Sequence, residues 1–561
     1  MQGYDIPLYR EKWILKLDLN ENLLGPSPKV IEALKNLSEE DIKYYPAYGE
    51  LIHAISDYYR LDKESVLPTN GADEAISYVF NTFLEPDMNV LSVTPTFAMP
   101  KIYAQSIGCE FREVKYKERW IFPLDDFISN IDHKTGLILI TTPNSPTGEA
   151  ISRENLIKII EKAPNSIILI DETYLSFGKD NFSDLIKKYR NVVLTRSLSK
   201  DFALAGLRIG YIAASPEIIS YIKRLINPFS VNIAAVKAAI AALNDIEYIN
   251  KAKEEIIKSK ELLYKGLSEF ADEVYPSEGN FILADFGFKA DYLYNRLLNA
   301  GIKVKYYKNH PDIDNCLRIS VPSQKESQIL LDALQKRDLV IFDMDGVLVD
   351  VGNSYRMAIK STYEFFANKE LGFEEIQNAK NIGGLNNDWD LTEFLLKNSA
   401  ITIPKQKIID KFQEFYLNKY IQNEQPLIDP EVLNELSNNY DLAVFTGRPR
   451  YEANYALEKW GLKDYFSMLV TMEDVPKGYH KPDPWGLNHI LRSIPCKKAF
   501  YLGDTPDDMT AANKASVSGI GILPPQDKSQ YLKDMLKKQG AVLILDNVNN
   551  FVQSLSTGME C

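Results

Sequence analysis

Residues 197–211 read SLSKDFALAGLRIGY, with a lysine, Lys200, shortly after the apolar run NVVLTR at 191–196. That run is too short for a free-standing helix and ends in polar residues. The pattern recurs outward from it. Apolar runs at 89–93, 136–142 and 166–171 each end in a polar loop, and helix-like stretches such as 153–162 lie between them. Such alternation predicts an α/β fold with a mostly parallel sheet, whose ligands sit at the carboxyl ends of the strands. The stretch 247–266, EYINKAKEEIIKSKELLYKG, is apolar at every third or fourth residue. It predicts a long amphipathic helix leading into a smaller C-terminal subdomain.

A second series starts at residue 338. LVIFD, LAVFTG and KAFYLGD each read as a buried strand feeding a loop, and the first runs into DMDGVLVD at 343–350. The stretch 354–420 between the first two shows no strand-like alternation. The joint QKRDLVIFD (335–343) lacks Gly, Ser and Pro, so a tight junction is expected there. At 561 residues the chain suits two or three domains. Its 45% apolar content is that of a globular protein. A net charge of −13 argues against a nucleic-acid partner, which needs a basic surface, but not against small anions in a local pocket. Cys109, Cys316, Cys496 and Cys561 are scattered with no CxxC spacing, and the five histidines do not cluster. Free thiols and no zinc site are expected. No apolar run reaches the roughly 18–20 residues of a membrane span, and MQGYDIPLYREKW has no signal-like core. A cytoplasmic, non-membrane protein is therefore expected.

The first half gathers candidate chemistry at its strand ends. Asp171 closes SIILID, Tyr174 follows three residues on, and Lys200 stands in SLSK. TNGADEA (69–75) reads as a turn into a helix, whose free N–H groups at Ala72 and Asp73 would bind a phosphate. Ser197, Ser199 and Arg208 would complete that grip. These are the demands of pyridoxal phosphate: a lysine for its aldehyde, a carboxylate for its ring nitrogen, a donor for its ring hydroxyl, and a phosphate cup. Each residue alone is a common surface or turn feature; the order and spacing carry the reading.

Over about the first 336 residues the chain resembles the fold-type-I aminotransferases, in particular the histidinol-phosphate aminotransferase family. The resemblance rests on LDLNENLLGPSPKVIEAL, KYYPAYGELIHAI, TNGADEAI, PNSPTGEAISRENL, IDETYLSF, SLSKDFALAGLRIGY, SEGNFILADF and CLRISV, in family order. It implies that Phe97 stacks on the cofactor ring and that Tyr45 reaches the cofactor phosphate of a neighbouring subunit, hence a homodimer. It also implies that Arg318 binds a substrate carboxylate or phosphate, and that Asn20, Asn280 and the N-terminal arm close over the substrate. Two positions depart from the family. Ser145, preceded by Asn144, stands where an asparagine usually bonds the ring hydroxyl, so Tyr174 or a shifted Asn144 must take over. Lys305 stands where arginine is common, and lysine lacks the bidentate fork.

In the second half, Asp343 follows a strand and is a candidate nucleophile for phosphate-ester hydrolysis through an aspartyl phosphate, with Asp345 as acid and base. Thr446 in FTGRP would bond phosphoryl oxygens and Lys481 in HKPDP would neutralise charge. Asp504 in LGDTPDD would bind Mg2+ with Asp343 and the Asp345 carbonyl, supported by Asp508 or by its neighbour Asp507. Residues 338–550 resemble the haloacid-dehalogenase-superfamily phosphatases, implying a Rossmann-like domain with a helical cap at about 354–426. NIGGLN (381–386) is a candidate specificity loop within that cap.

Domains at 1–336 and 337–561 are thus expected. The paired resemblance implies one enzyme that moves an amino group from glutamate to imidazole-acetol phosphate and hydrolyses the resulting histidinol phosphate to histidinol. The alternative is a different phosphorylated amino acid, transaminated or decarboxylated, with the phosphatase acting on its product or on an unrelated ester.

Overall fold

The computed structural model describes residues 12–380 and 387–556. The N-terminal arm at 1–11, the NIGGLN loop and the last five residues, with the expectations attached to them, lie outside the described residues. The chain divides into two compact units, Met1–Gln335 and Lys336–Cys561.

In the first unit the apolar runs form a seven-stranded sheet. Its order is Val66–Thr69, Gly210–Ala214, Val192–Ser197, Ile167–Asp171, Thr135–Thr141, Asn89–Thr94 and Glu110–Lys115. The last five are parallel, whereas Gly210–Ala214 runs antiparallel to both of its neighbours. The central strands are buried on both faces, which is why they read as unbroken Ile, Val and Leu. Each such side chain contributes about 1.5–3 kcal/mol by leaving water. The helix Arg153–Lys162 starts where Ser152 Oγ accepts from Asn155 N and lays Leu156, Ile159 and Ile160 on the sheet. The 22-residue helix Ile246–Leu267 buries Ile249, Ala252, Ile256, Ser259, Leu263 and Leu267, one stripe at helical spacing. It leads to a five-stranded sheet ordered Leu15–Leu17, Ile302–Tyr307, Cys316–Ser320, Phe281–Asp285 and Glu273–Val274. The amino-terminal strand Leu15–Leu17 thus joins the sheet made by the end of the unit.

The second unit has a six-stranded, all-parallel sheet: Met468–Val470, Tyr440–Phe445, Arg337–Phe342, Cys496–Gly503, Ser518–Ile522 and Leu543–Leu545. A helical cap of Tyr355–Ala367, Phe373–Lys380, Asp388–Asn398 and Lys405–Phe415 interrupts it. The chain leaves and re-enters the core through a short antiparallel ribbon, Val349–Asp350 against Gln425–Pro426. Among the described residues no helix is long and apolar enough to cross a membrane.

Candidate active sites

The first site lies at the carboxyl ends of the large sheet. Asp171 is the last residue of its strand, opposite Thr141 on one side and Thr195 on the other. Its Oδ1 accepts from Thr173 N (3.1 Å), Thr173 Oγ1 (2.7 Å) and Thr195 Oγ1 (3.4 Å). Oδ2 is left for another donor. Burial pushes this carboxyl up to about 6 despite those donors, so the carboxylate calls for a cation or N–H beside it.

The helix Gly71–Phe83 opens beside it, and the Asn70 side chain does not cap it. The first-turn N–H groups of Ala72 and Asp73 therefore face an anion position. Arg208 lies across the opening, Nη2 2.6 Å from the Asp73 carboxylate. Gly71 has φ +84°, and a Cβ there would come within 2.6 Å of Arg208 Nη2. A larger residue would close this cradle. Ser197 Oγ accepts from Ser199 N, while the Ser199 hydroxyl is buried with no partner. An unpartnered buried hydroxyl, an open helix start and a guanidinium on one spot suit a phosphate. The residues present fit pyridoxal phosphate.

Lys200 follows, its Nζ donating to Leu19 O at 2.7 Å. Asn20, buried at φ 55°, is clasped from three directions. Its N–H donates to Ser320 Oγ (2.8 Å), its carbonyl accepts from Asn280 Nδ2 (3.0 Å), and its Nδ2 donates to the Tyr174 hydroxyl (2.9 Å). Asn280 Oδ1 remains buried without a partner. Arg318 donates to Ser145 Oγ (2.9 Å) and Asp18 O (2.6 Å), and its buried Nε has no acceptor. Lys305 is its direct cross-strand partner and has no carboxylate partner among the described residues. Two like charges opposite each other destabilise a sheet unless an anion lies between them.

Asn144 is otherwise engaged. Its Nδ2 donates to Pro95 O and Thr147 Oγ1, and its Oδ1 accepts from Thr96. Its side-chain donors and acceptor are taken up by Thr147 in the turn and by the Pro95–Thr96 loop, which leaves Tyr174 as the ring-hydroxyl candidate of the two. Phe97 is half-buried between the strand Asn89–Thr94 and the helix Met99–Ile107. Tyr45 is 78% exposed and stacks on Phe229 at 4.3 Å.

The second site is a cavity between cap and core of the second unit, lined by Asp343, Asp345, Thr446, Lys481 and Asp504, with Trp389 from the cap. Lys481 Nζ lies 2.9 Å from Asp343 Oδ1 and 2.8 Å from Asp508 Oδ1. Burial alone would lower Lys481, but those two carboxylates hold it above its ordinary value. Burial pushes Asp343 up to about 7, against the pull of Lys481. Asp504 is raised by burial and by Asp508 and Asp343. In Asp508 the same burial is outweighed by Lys481 and by the Thr505 donors, and the net shift is down.

Carboxylate oxygens of Asp343, Asp504 and Asp508 lie within 4.8 Å of one another. Such an all-oxygen donor set with excess negative charge fits Mg2+. Asp507 lines the cavity but is not one of the three. Gly346, at φ +74°, lets the Asp504 carboxylate lie against the loop where any Cβ would stand. Thr446 is buried, its Oγ1 accepting from Arg448 N. The sequence reading did not single out Arg448 or Glu424, a fully buried pair. The only local mark of Arg448 is its place directly after the FTG stretch, and Glu424 has none.

These folds and sites define a pyridoxal-phosphate-type transferase joined to a phosphatase-type hydrolase. Residues 12–334 match the aminotransferase class I and II family, and the chain belongs to it. Residues 340–522 match the haloacid dehalogenase-like hydrolases. Histidinol-phosphate aminotransferase of Clostridium botulinum (strain Okra / Type B1) is 33% identical over 333 residues, covering 58% of this chain and 93% of the relative. The crystal structure of the histidinol-phosphate aminotransferase from Clostridium acetobutylicum superposes with a TM-score of 0.54 at 28% identity, over 57% of this chain and 98% of that one. The L-threonine-O-3-phosphate decarboxylase from Porphyromonas gingivalis shares the fold, with a TM-score of 0.51 at 22% identity over 57% of this chain and 98% of that one.

Proposed function

We propose that the chain is a bifunctional enzyme: the first unit transfers an amino group from glutamate to imidazole-acetol phosphate, and the second hydrolyses the histidinol phosphate so formed. The observation that carries the phosphorylated substrate is the Lys305–Arg318 pair, two cations facing each other across adjacent strands with an open Arg318 Nε. That arrangement calls for a substrate bearing anionic groups.

Pyridoxal phosphate, when bound, supplies the electron sink. Ala72 and Asp73 N–H, Ser197, Ser199 and Arg208 would hold its phosphate, and Asp171 Oδ2 its ring nitrogen, whose positive charge would return that carboxyl towards its ordinary range. Phe97 would stack on the ring. Tyr174 would donate to the ring hydroxyl, its own oxygen fixed by Asn20. Lys200 Nζ would bond the cofactor aldehyde and carry a proton to and from the substrate Cα. Asn20 and Asn280 would shut out water, and Tyr45, exposed here, would reach the site of a second copy in a homodimer.

In the second unit Asp343 attacks phosphorus, and Asp345 protonates the leaving oxygen and then takes a proton from water. Thr446 and Lys481 hold the phosphoryl oxygens. Mg2+, held by Asp343, the Asp345 carbonyl and Asp504 with support from Asp508, would neutralise phosphoryl charge.

The test is mass spectrometry of one reaction containing the protein, pyridoxal phosphate, Mg2+, glutamate and imidazole-acetol phosphate. Histidinol is expected from the wild type. Lys200→Ala should yield no amino transfer yet still cleave added histidinol phosphate, and Asp343→Asn should stop at histidinol phosphate. Loss of both activities in either variant would refute two independent sites. A second reading, decarboxylation of a phosphorylated amino acid, draws on the same cation pair. Carbon dioxide release from O-phosphothreonine in place of amino transfer would establish it.

A further inference from the structure

Arg448 joins the core of the second unit to both chain crossings into its cap. Its side chain is wholly buried. Nε donates to Asp345 Oδ1 at 2.7 Å, and Nη2 lies 2.6 Å from the same oxygen. Nη1 and Nη2 grip the Glu424 carboxylate, each at 3.0 Å. Glu424 is also fully buried and further accepts from the Tyr416 hydroxyl (2.8 Å) and Ser354 Oγ (3.1 Å). The guanidinium lies 4.9 Å over the Tyr355 ring, which stacks on Tyr416 at 4.4 Å. Ser354 and Tyr355 stand where the chain enters the cap; Glu424 stands where it leaves, one residue before the return strand of the ribbon.

A buried ion pair is weak evidence for stability, because apolar residues of equal volume often hold a fold as well. What this arrangement does supply is geometry. Both donors that reach Asp345 fall on Oδ1, so Oδ2 is the oxygen left to face the cavity. The same guanidinium is locked by a two-pronged pair to the hinge segment.

We propose that Arg448 is the positioning residue of the acid–base aspartate: it holds Asp345 by Oδ1, presents Oδ2 to the leaving oxygen, and through Glu424 sets the acid and the cap hinge together. This rests on the phosphatase reading above. In that reaction an Asp343 oxygen bonds to phosphorus as the ester P–O bond breaks. The proton on Asp345 Oδ2 passes to the departing alkoxide. Asp345 then takes a proton from the water that attacks the phosphorylated Asp343, releasing inorganic phosphate and restoring both carboxyl groups.

The experiment compares kcat/KM, in the full chain with Mg2+, for histidinol phosphate and for p-nitrophenyl phosphate. The alkoxide of the first needs a proton; the nitrophenolate of the second departs without one. Arg448→Gln should cut the histidinol phosphate value by about 100-fold, the scale of lost general-acid catalysis, and change the aryl value by less than about 5-fold. The ratio of the two is independent of how much of the variant folds. Asp345→Asn should move that ratio the same way. If Arg448→Gln lowers both esters by one factor, the residue is merely structural and the proposal falls. If that variant shows no turnover, Glu424→Gln decides between the same two outcomes, a selective loss or an equal one. Wild-type cleavage of the aryl ester alone would overturn histidinol phosphate as the substrate but not phosphatase activity. The same ratio is then read with an alkyl phosphate that the wild type does cleave, an equal loss on both esters overturning the proposal. Cleavage of neither ester overturns the phosphatase reading, and the proposal with it.

Discussion

Asp171→Asn should stabilise the cofactor-free protein and cripple the cofactor-bound one. The Asp171 carboxyl is raised by burial from 3.8 to about 6. That is about 2 pK units, or about 3 kcal/mol at 1.36 kcal/mol per unit. The folded value lies above the unfolded one. The folded chain therefore holds the proton more tightly between pH 3.8 and about 6, and stability falls as pH rises through that window. Above it the full penalty of the buried charge is present. Asparagine keeps an acceptor for Thr173 and Thr195 but places an NH2 where Oδ2 stood, and an unpaired N–H there costs about 1 kcal/mol. A net gain of about 2 kcal/mol at pH 7.5 follows for the cofactor-free variant. The gain should shrink by about 1 kcal/mol at pH 5, where the wild-type carboxyl is largely protonated. The assay is urea unfolding of the first unit, with and without pyridoxal phosphate, at both pH values. With cofactor the sign should reverse, since the amide cannot balance a protonated ring nitrogen. Equal gains at pH 5 and pH 7.5, or destabilisation of the cofactor-free form, would refute the buried-charge argument.

Ser199→Ala removes a hydroxyl that has no partner, so unfolding of the cofactor-free protein should change by less than about 0.5 kcal/mol. The dissociation constant for pyridoxal phosphate, read by equilibrium dialysis, should rise about 10-fold, the loss of one charge-assisted hydrogen bond. Mg2+ should raise the unfolding temperature of the second unit by relieving repulsion among Asp343, Asp504 and Asp508. Asp504→Asn should abolish that shift, as calorimetry with and without EDTA would show. Gly71→Ala should weaken pyridoxal phosphate binding by at least 10-fold, because its Cβ meets Arg208 at 2.6 Å and its φ of +84° is strained for any side chain. An unchanged affinity would show that Arg208 does not hold the phosphate.

The strands were legible because burial on both faces leaves a continuous apolar run. The run at 166–171 became Ile167–Asp171, and the helix over 153–162 became Arg153–Lys162. Strand direction was not legible. Gly210–Ala214 is apolar like the parallel strands, yet it returns antiparallel beside Val192–Ser197 after the loop at 198–209, which holds no α-helical crossover. The same split holds for the sites. Lys200, Asp171 and Asp343 are marked by neighbours in sequence. Ser145 and Arg318 meet across 173 positions, and Arg448 meets Glu424 and Asp345 across 24 and 103. Glu424 sits in the polar stretch QNEQP, which reads as an ordinary surface loop. Its complete burial follows from the cap folding back over it, a long-range event that no local pattern records.

The clasp on Asn20 has a consequence for the order of assembly on the ribosome. Ser320 lies 300 residues after Asn20. At about 5–20 residues per second, roughly 15–60 s of synthesis separate the two. The large sheet can be complete while residue 20 still waits for its partner. The pocket wall is therefore closed last, by a segment made 300 residues before its partner. The hydrolase that follows keeps the nascent chain tethered while this closure takes place.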